Sequence, residues 1–405
     1  MARLLLGAFG DPGHAFPVIA LGRELAARGH EVTLQTWARW REDVEAEGMR
    51  FAAAPEYHVF PTRDRPMTPY EAVEHATRET VSLVRDVAPD AVVSDILTLA
   101  PALAAELEGV PVATVIPHVD PRLPPGCAPY SCGARVPRTA LGRTIWRTAD
   151  PLMRRGLALG QRELNETRAR LGLPALHRVH GGISEALCLV GTFPQLEYPR
   201  DWGARTHVVG PLLWEPPSAD VALPPGDEPL VLVTPSTSQD GEHRLLRAAL
   251  SGLADLPVRV LATWNRRDGG EPADVPANAT VVDWMSYART MPAADIVVCH
   301  GGHGTIARAL ASGCAVVAVP AAGDMNENAA RIEWAGVGVR LPRRLCRPRG
   351  MALAVGRALA RPHLRERALE LRAWAQEHDG PGRAALLVEA FTAREDARVV
   401  ARSGG

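Results

Sequence analysis

The stretch His300-Gly301-Gly302-His303-Gly304-Thr305 joins a β-branched run, Ile296-Val297-Val298-Cys299, to a helix-forming segment from Ile306 to Ser312 that Gly313 stops. The order is strand, glycine turn, helix. Glycine lets the backbone approach an anion, and the unpaired N–H groups that open a helix carry the positive end of its dipole. Thr305 adds a hydroxyl donor, and His300, at the strand's end, an imidazole donor. A diphosphate fits this arrangement, although a βα turn without a ligand uses glycine in the same way.

Similar alternation of apolar runs and helical patterns extends along the chain and predicts an α/β fold, with parallel sheets covered by helices. In the first half the strand-like runs are Arg3 to Gly7, Glu31 to Thr36, Ala91 to Ser94, Val112 to Ile116 and Ala186 to Val190. In the second they are Leu230 to Val233, Val258 to Thr263, Ala279 to Val282, Ile296 to Cys299 and Ala315 to Val319. Between the halves, Pro216-Pro217 and Pro224-Pro225 bracket the aperiodic polar stretch Ser218 to Leu223, which reads as a linker. A chain of 405 residues is too long for one ordinary core. Two facing Rossmann-like domains are therefore expected, over 1–214 and 229–370, with the linker at 215–228. Tyr57 to Pro69 and His118 to Pro137 lack periodicity and follow strands of the first domain, so they are expected to wall a pocket there.

The composition, 46% apolar and 22% charged with a net charge of −1, is that of a soluble globular protein and gives no field that favours nucleic acid. All 45 basic residues are arginine, which excludes lysine nucleophiles and Schiff bases. The cysteines at 127, 132, 188, 299, 314 and 346 have no zinc spacing. Reduced thiols are expected, with a Cys127–Cys132 pair left open. Leu4-Leu5-Leu6 is too short for a signal-peptide core and reads as the first strand. No apolar run approaches the ~20 residues that span a bilayer. A cytoplasmic protein without stable membrane association is expected, since no lysine-rich or amphipathic basic stretch stands out.

His300 to Thr305, followed about fifteen residues later by Pro320 and then by Asp324-Met325-Asn326-Glu327-Asn328, resembles the donor-site signature of the GT-B fold UDP-glycosyltransferases, glycosyltransferase family 1. The likeness is to bacterial members that glycosylate natural products, and it covers nearly the whole chain. Gly13-His14-Ala15-Phe16-Pro17, Ala20 to Leu25, Arg28 to Val32, Pro89 to Asp95, Asn165 to Pro174, Phe193-Pro194, Val209-Gly210-Pro211 and Val282-Asp283-Trp284 fall in that family's order. The resemblance implies that 1–214 binds the acceptor and 229–370 the nucleotide sugar. It implies that helices at 371–393 cross back to the first domain; 394–405 reads as a frayed tail. The implied partners are a nucleotide sugar, linked to UDP or dTDP, and a small hydrophobic acceptor. No cofactor is implied, and homodimerisation is left open.

Displacement of a nucleotide diphosphate at a sugar's anomeric carbon needs a base for the acceptor proton and a stabiliser for the departing anion. The resemblance makes His14 the base and Asp95 its partner. His14 precedes a helix whose first turn holds Pro17, and that helix N-terminus disfavours imidazolium and is expected to keep His14 neutral. From its position alone, Asp95 reads as the N-cap of a helix over Leu97 to Leu107. Donor-site positions implied by the resemblance are Ser236, Thr237, Trp284, Met285, His300, Gly302, His303, Gly304, Thr305, Asp324 and Met325, with Trp284 offering a flat face to the base. His118, Tyr57 and Phe60 are candidates for the acceptor pocket.

Three positions depart from the family pattern: Met325 and Tyr287 replace glutamines, and Arg308 replaces a glutamate that binds ribose hydroxyls. A site short of polar partners discriminates less among hydroxyls, which fits a dTDP-deoxysugar while leaving UDP-glucose open. No Asp-x-Asp pair occurs, so metal independence is expected, and a single displacement implies inversion. Gly7, Gly10 and Gly13 miss the dinucleotide spacing, and the second strand ends at Thr36-Trp37 without the ribose-binding acid, which argues against a dehydrogenase. The alternative kept is a catalytically inactive sugar-nucleotide-binding subunit.

Overall fold

A computed structural model of the chain describes residues 1–55, 69–236, 243–264, 274–321 and 323–403. Tyr57, Phe60 and Thr237 lie outside the described residues. The first sheet holds β1 (Arg3–Gly7), β2 (Glu31–Thr36), β3 (Arg50–Ala53), β4 (Ala91–Asp95), β5 (Val112–Ile116), β6 (Cys188–Val190) and β7 (Thr206–Val208), ordered β3-β2-β1-β4-β5-β6-β7. The second holds β8 (Leu230–Thr234), β9 (Arg259–Thr263), β10 (Ala279–Val282), β11 (Ile296–Cys299), β12 (Ala315–Ala318) and β13 (Gly338–Arg340), ordered β10-β9-β8-β11-β12-β13. Every pairing is parallel. The central strands β1, β4, β8 and β11 are apolar runs buried on both faces, as a parallel sheet requires. Strands β3, β7 and β13, at three of the sheet edges, lack such runs and escape the sequence reading.

Helices of the first half are α1 (Pro12–Ala27), α2 (Arg41–Ala46), α3 (Pro69–Val87), α4 (Leu99–Leu107), α5 (Ala140–Arg147) and α6 (Asp150–Arg170). Those of the second are α7 (Arg244–Leu253), α8 (Tyr287–Thr290), α9 (His303–Ala311), α10 (Asp324–Ala335), α11 (Pro348–Leu359), α12 (Pro362–Glu377) and α13 (Gly380–Ser403). Reversal of strand order between β1 and β4, and between β8 and β11, opens a crevice at the carboxyl end of each sheet, where ligands of such sheets bind.

Helix α1 starts earlier than its sequence predicts. Pro12 occupies the first helical position, and Pro17 lies inside the helix. That proline, the sixth helical residue, withholds a hydrogen bond from the Gly13 carbonyl. His14 is thereby a helical residue and not a loop residue.

Residues 209–229 carry no helix or strand, and their polar groups are tied down on both sides. Trp214 Nε1 donates to Glu47 at 2.6 Å, while Glu215 accepts from Ser286 Oγ and, at 3.2 Å, from the Ala288 N–H. The chain returns to the first sheet at its end. Helix α12 packs on α9, whereas α13 packs on α1, adding Ala384, Ala385, Val388 and Phe391 to the core that holds Leu21 and Leu25. Glu389 of α13 pairs with Arg28 at 2.7 Å and His30 at 2.8 Å. Where the sequence predicts a frayed end from residue 394, α13 continues to Ser403.

Both passages between the sheets meet at one point. Gly210 has φ 108°, and a Cβ there would stand 3.3 Å from the Trp374 ring and 3.4 Å from the Gly380 Cα. A Cβ on Gly380 would stand 2.6 Å from the Pro211 carbonyl oxygen, so glycine is needed on each side.

Candidate active site

His14 and Asp95 meet at the carboxyl edge of the first sheet. Nδ1 of His14 stands 2.8 Å from Asp95 Oδ1, so Nδ1 carries the donated proton and Nε2 keeps its lone pair. Asp95 is 1% exposed, and its second oxygen accepts from the Phe9 N–H at 3.3 Å and Thr98 Oγ1 at 3.2 Å. Those contacts correct the N-cap expectation: α4 starts at Leu99 with Thr98 at the cap position, and the Asp95 carboxylate points to α1 instead. Burial pushes the His14 pKa down, but Asp95 more than offsets it, and Asp324 adds to the rise, so the pKa lies above the usual 6.5. The expectation that the helix terminus keeps this ring neutral gives way to the carboxylate.

His118 follows β5, and its ring meets that of His14 edge-on with centroids 5.7 Å apart. Its Nδ1 lies 2.7 Å from the Val119 carbonyl oxygen. A carbonyl only accepts, so Nε2 of His118 is a second fixed acceptor beside His14. Burial, then the charge of His14, lower the His118 pKa below 6.5.

Across the cleft, β11 ends at Cys299 and α9 opens at His303, with Gly302 at the cap position. Gly301 has φ 88°, and a Cβ there would press on the Met325 carbonyl oxygen at 3.1 Å. A Cβ on Gly302 would stand 2.4 Å from His300 Nε2, and one on Gly304 would meet nothing within 4 Å. The glycines thus hold the His300 ring over the turn and α10 behind it, leaving the start of α9 open. Asn328 fixes α10 to the turn, donating to the Gly301 carbonyl at 3.0 Å and to Asp324 at 3.4 Å. Asp324 is the first residue of α10, and its charge reaches both His14 and His118. The paired histidines and the glycine turn therefore converge on one cleft.

The side chains of two sequence-predicted donor residues, His303 and Met285, stand elsewhere. The His303 ring is buried against the first half of the chain, with Nε2 2.8 Å from Thr192 Oγ1 and a bond to the Pro117 carbonyl. Burial pushes its pKa down to about 3, so it is a neutral brace between the halves. Met285 packs in the apolar core with Val119, Phe193 and Met291 because its unbranched side chain fills the space beneath α8. Trp284 is 44% exposed, Ser236 is buried, and Thr305 is half-buried in the first turn of α9. Met325 lies against Gly301. Burial lowers the Arg308 pKa, and among nearby charges Glu215 raises it while Arg23 lowers it.

Residues without an assigned role in the sequence reading also belong here. Tyr130, from the Gly- and Pro-rich segment, buries its hydroxyl near Asp324 and Arg331, without a hydrogen-bond partner among the described residues. Arg331 of α10 is 1% exposed; it bonds Glu197 at 2.7 Å, the Leu196 carbonyl at 2.9 Å and Glu327 at 3.0 Å, and stacks on Tyr198. An aromatic in a loop and an i,i+4 acid–arginine pair were the available signals. A separate pocket of about 340 Å³ lies between Arg122, Arg178, His180 and Trp202, and Arg122 is already paired with Asp120 there. All six cysteines are free thiols.

Residues 247–389 match the family model described as erythromycin biosynthesis protein CIII-like, C-terminal domain. The chain is 30% identical to 4'-demethylrebeccamycin synthase of Lentzea aerocolonigenes, over 92% of this chain and 95% of that protein. Among solved structures, the glycotransferase of kitacinnamycin superposes with a TM-score of 0.76 at 23% identity, covering 96% of this chain and 99% of that one. The glycosyltransferase VinC in complex with dTDP superposes at 0.70 and 19% identity, covering 97% and 100%. With two all-parallel sheets, a cleft between them and a full-length relative at this identity, the chain belongs to the bacterial natural-product glycosyltransferases of the GT-B fold.

Proposed function

We propose that this glycosyltransferase is inverting and metal-independent, moving a sugar from a dTDP- or UDP-linked donor to a hydroxyl of a small hydrophobic natural product. The observation that carries the reading is the His14–Asp95 pair opposite Asp324 and the open start of α9. His14 Nε2 takes the acceptor proton as the acceptor oxygen bonds to the anomeric carbon. The bond from that carbon to the diphosphate breaks on the opposite face, and the configuration inverts. The proton stays on the imidazolium, which Asp95 stabilises, and the diphosphate leaves onto the N–H groups of α9 with the help of His300 and Thr305. Because the helix terminus supplies positive charge, no metal is assigned. Trp284 offers its exposed face to the base, and Asp324 accepts from sugar hydroxyls.

Arg308 in place of the ribose-binding glutamate favours dTDP, and VinC, a structural neighbour, is itself in complex with dTDP. Titration calorimetry with dTDP and UDP, followed by transfer assays with their sugars in EDTA, tests the reading. Inverted product without added metal supports it; loss of turnover in EDTA, restored by magnesium, overturns the metal-free step. Nucleotide binding with no turnover across broad donor and acceptor panels would favour an inactive auxiliary subunit.

A further inference from the structure

Helix α5 sits on the molecule's outside with no buried residue. Thr139 caps it, accepting from the Gly142 N–H at 3.1 Å, and it rests on the preceding loop, where a Cβ on Gly126 would stand 3.3 Å from the Arg143 Cβ; Leu141 and Ile145 lie on the opposite side. Leu141 and Ile145, four apart on one side, are 71% and 58% exposed, and Leu152 at the start of α6 is 76% exposed. Leu159, one turn beyond Gly156, is exposed as well. Arg143 and Arg147 occupy the other side of α5, and Arg154 and Arg155 follow in α6. These four arginines are exposed and make no ion pair or hydrogen bond among the described residues. From 121 to 162 the sequence has eight arginines and a single acid, Asp150, in a chain whose net charge is only −1.

Exposed leucines flanked by unpaired arginines form the pattern of a helix that lies in a lipid interface, its apolar side in the acyl boundary and its guanidinium groups among headgroups. An eight-residue amphipathic turn is too short to stand out in a sequence window, which is why the basic amphipathic stretch is missed there. A second copy of this chain would set arginines against arginines. The loop that leads into α5 lies against α10, which carries Asp324: Gly133 stands against Asn326, and Arg135 pairs with Glu333 at 2.7 Å.

We propose that α5 and the first half of α6 dock reversibly on a bilayer with anionic headgroups, and that the cleft receives its hydrophobic acceptor from that surface. The second clause rests on the acceptor class proposed above. No described helix is long and apolar enough to cross a membrane, so the contact is interfacial.

Co-sedimentation of the full chain with vesicles tests the proposal. Binding is expected with phosphatidylcholine vesicles containing phosphatidylglycerol, and much less with phosphatidylcholine alone. Leu141→Ser with Ile145→Ser should abolish it, and Arg143→Gln with Arg147→Gln should weaken it about thirtyfold at low salt. Failure to sediment with anionic vesicles overturns the docking surface, as does equal sedimentation by the leucine-isoleucine variant. A raised KM of that variant for a water-soluble acceptor, without vesicles, also overturns it, because the face would then line the acceptor pocket. Vesicle binding by a wild type that transfers to no hydrophobic acceptor retains the surface and overturns the acceptor reading instead. Thermal melting of both variants guards against misfolding.

Discussion

Asp95 holds His14 by one oxygen, at 2.8 Å, while its other oxygen is occupied by the Phe9 N–H and the Thr98 hydroxyl. The carboxylate cannot turn away without losing three donors, so the ring's tautomer and direction are set together. The same bond raises the pKa of His14, so in the mechanism proposed above orientation is obtained at the expense of activity in mildly acidic solution.

That trade predicts a pH profile. Activity should fall as pH drops through a value above 6.5, since the base must be neutral. In Asp95→Asn the acidic limb should move lower, and turnover should fall on the order of 10²- to 10⁴-fold, as in His14→Ala. An unshifted limb would remove Asp95 from its role. Stability follows the opposite sense: a raised histidine pKa contributes fully below 6.5 and is lost as pH rises through the folded value. Melting of His14→Ala against wild type at pH 6 and pH 8.5 reads that difference.

Gly302→Ala tests the anion cradle. Its new Cβ would fall 2.4 Å from His300 Nε2, so the imidazole must leave the turn. Nucleotide affinity should drop about tenfold or more by calorimetry. The melting point should move little, because Gly302 has an ordinary backbone conformation that alanine adopts, with φ −63°.

Arg308→Glu addresses the nucleotide. Restoring a carboxylate there should raise UDP affinity relative to dTDP, about fivefold or more, through the extra ribose hydroxyl. An unchanged ratio would sink the view that Arg308 shapes nucleotide preference.

Arg331→Met should cost about 3–5 kcal/mol in urea unfolding, because Glu327 would lose its buried cation and Glu197 would keep only Arg200, at 3.9 Å. Glu197 comes from the first half of the chain and Arg331 from α10, so the loss should also separate the unfolding of the two halves. A loss below about 1 kcal/mol would show the network to be structurally idle.

The strand–turn–helix at 296–311 was legible because glycine and β-branched residues act locally. Asp95 was legible because a strand end puts its last side chains at the sheet's carboxyl edge. What escaped is set by partners distant in sequence. Strands β3, β7 and β13 owe their conformation to one neighbouring strand, not to an apolar pattern of their own. The His303 ring turns away from the glycine turn because Thr192, 111 residues earlier, supplies its hydrogen bond. Met285 follows the solvent-facing Trp284, and the alternation that exposes one buries the other. Helix α5 is the converse case, carrying amphipathic spacing whose apolar side, Leu141 and Ile145, is exposed.

The meeting of Gly210 and Gly380 bears on motion. Because the chain enters the second half and leaves it at the same spot, the halves can rotate about that pivot without stretching either connection. Trp374 lies against Gly210 at that point. A side chain at Gly210 would stiffen cleft opening while leaving every group that touches substrate in place, so its effect should fall on product release and not on the chemical step.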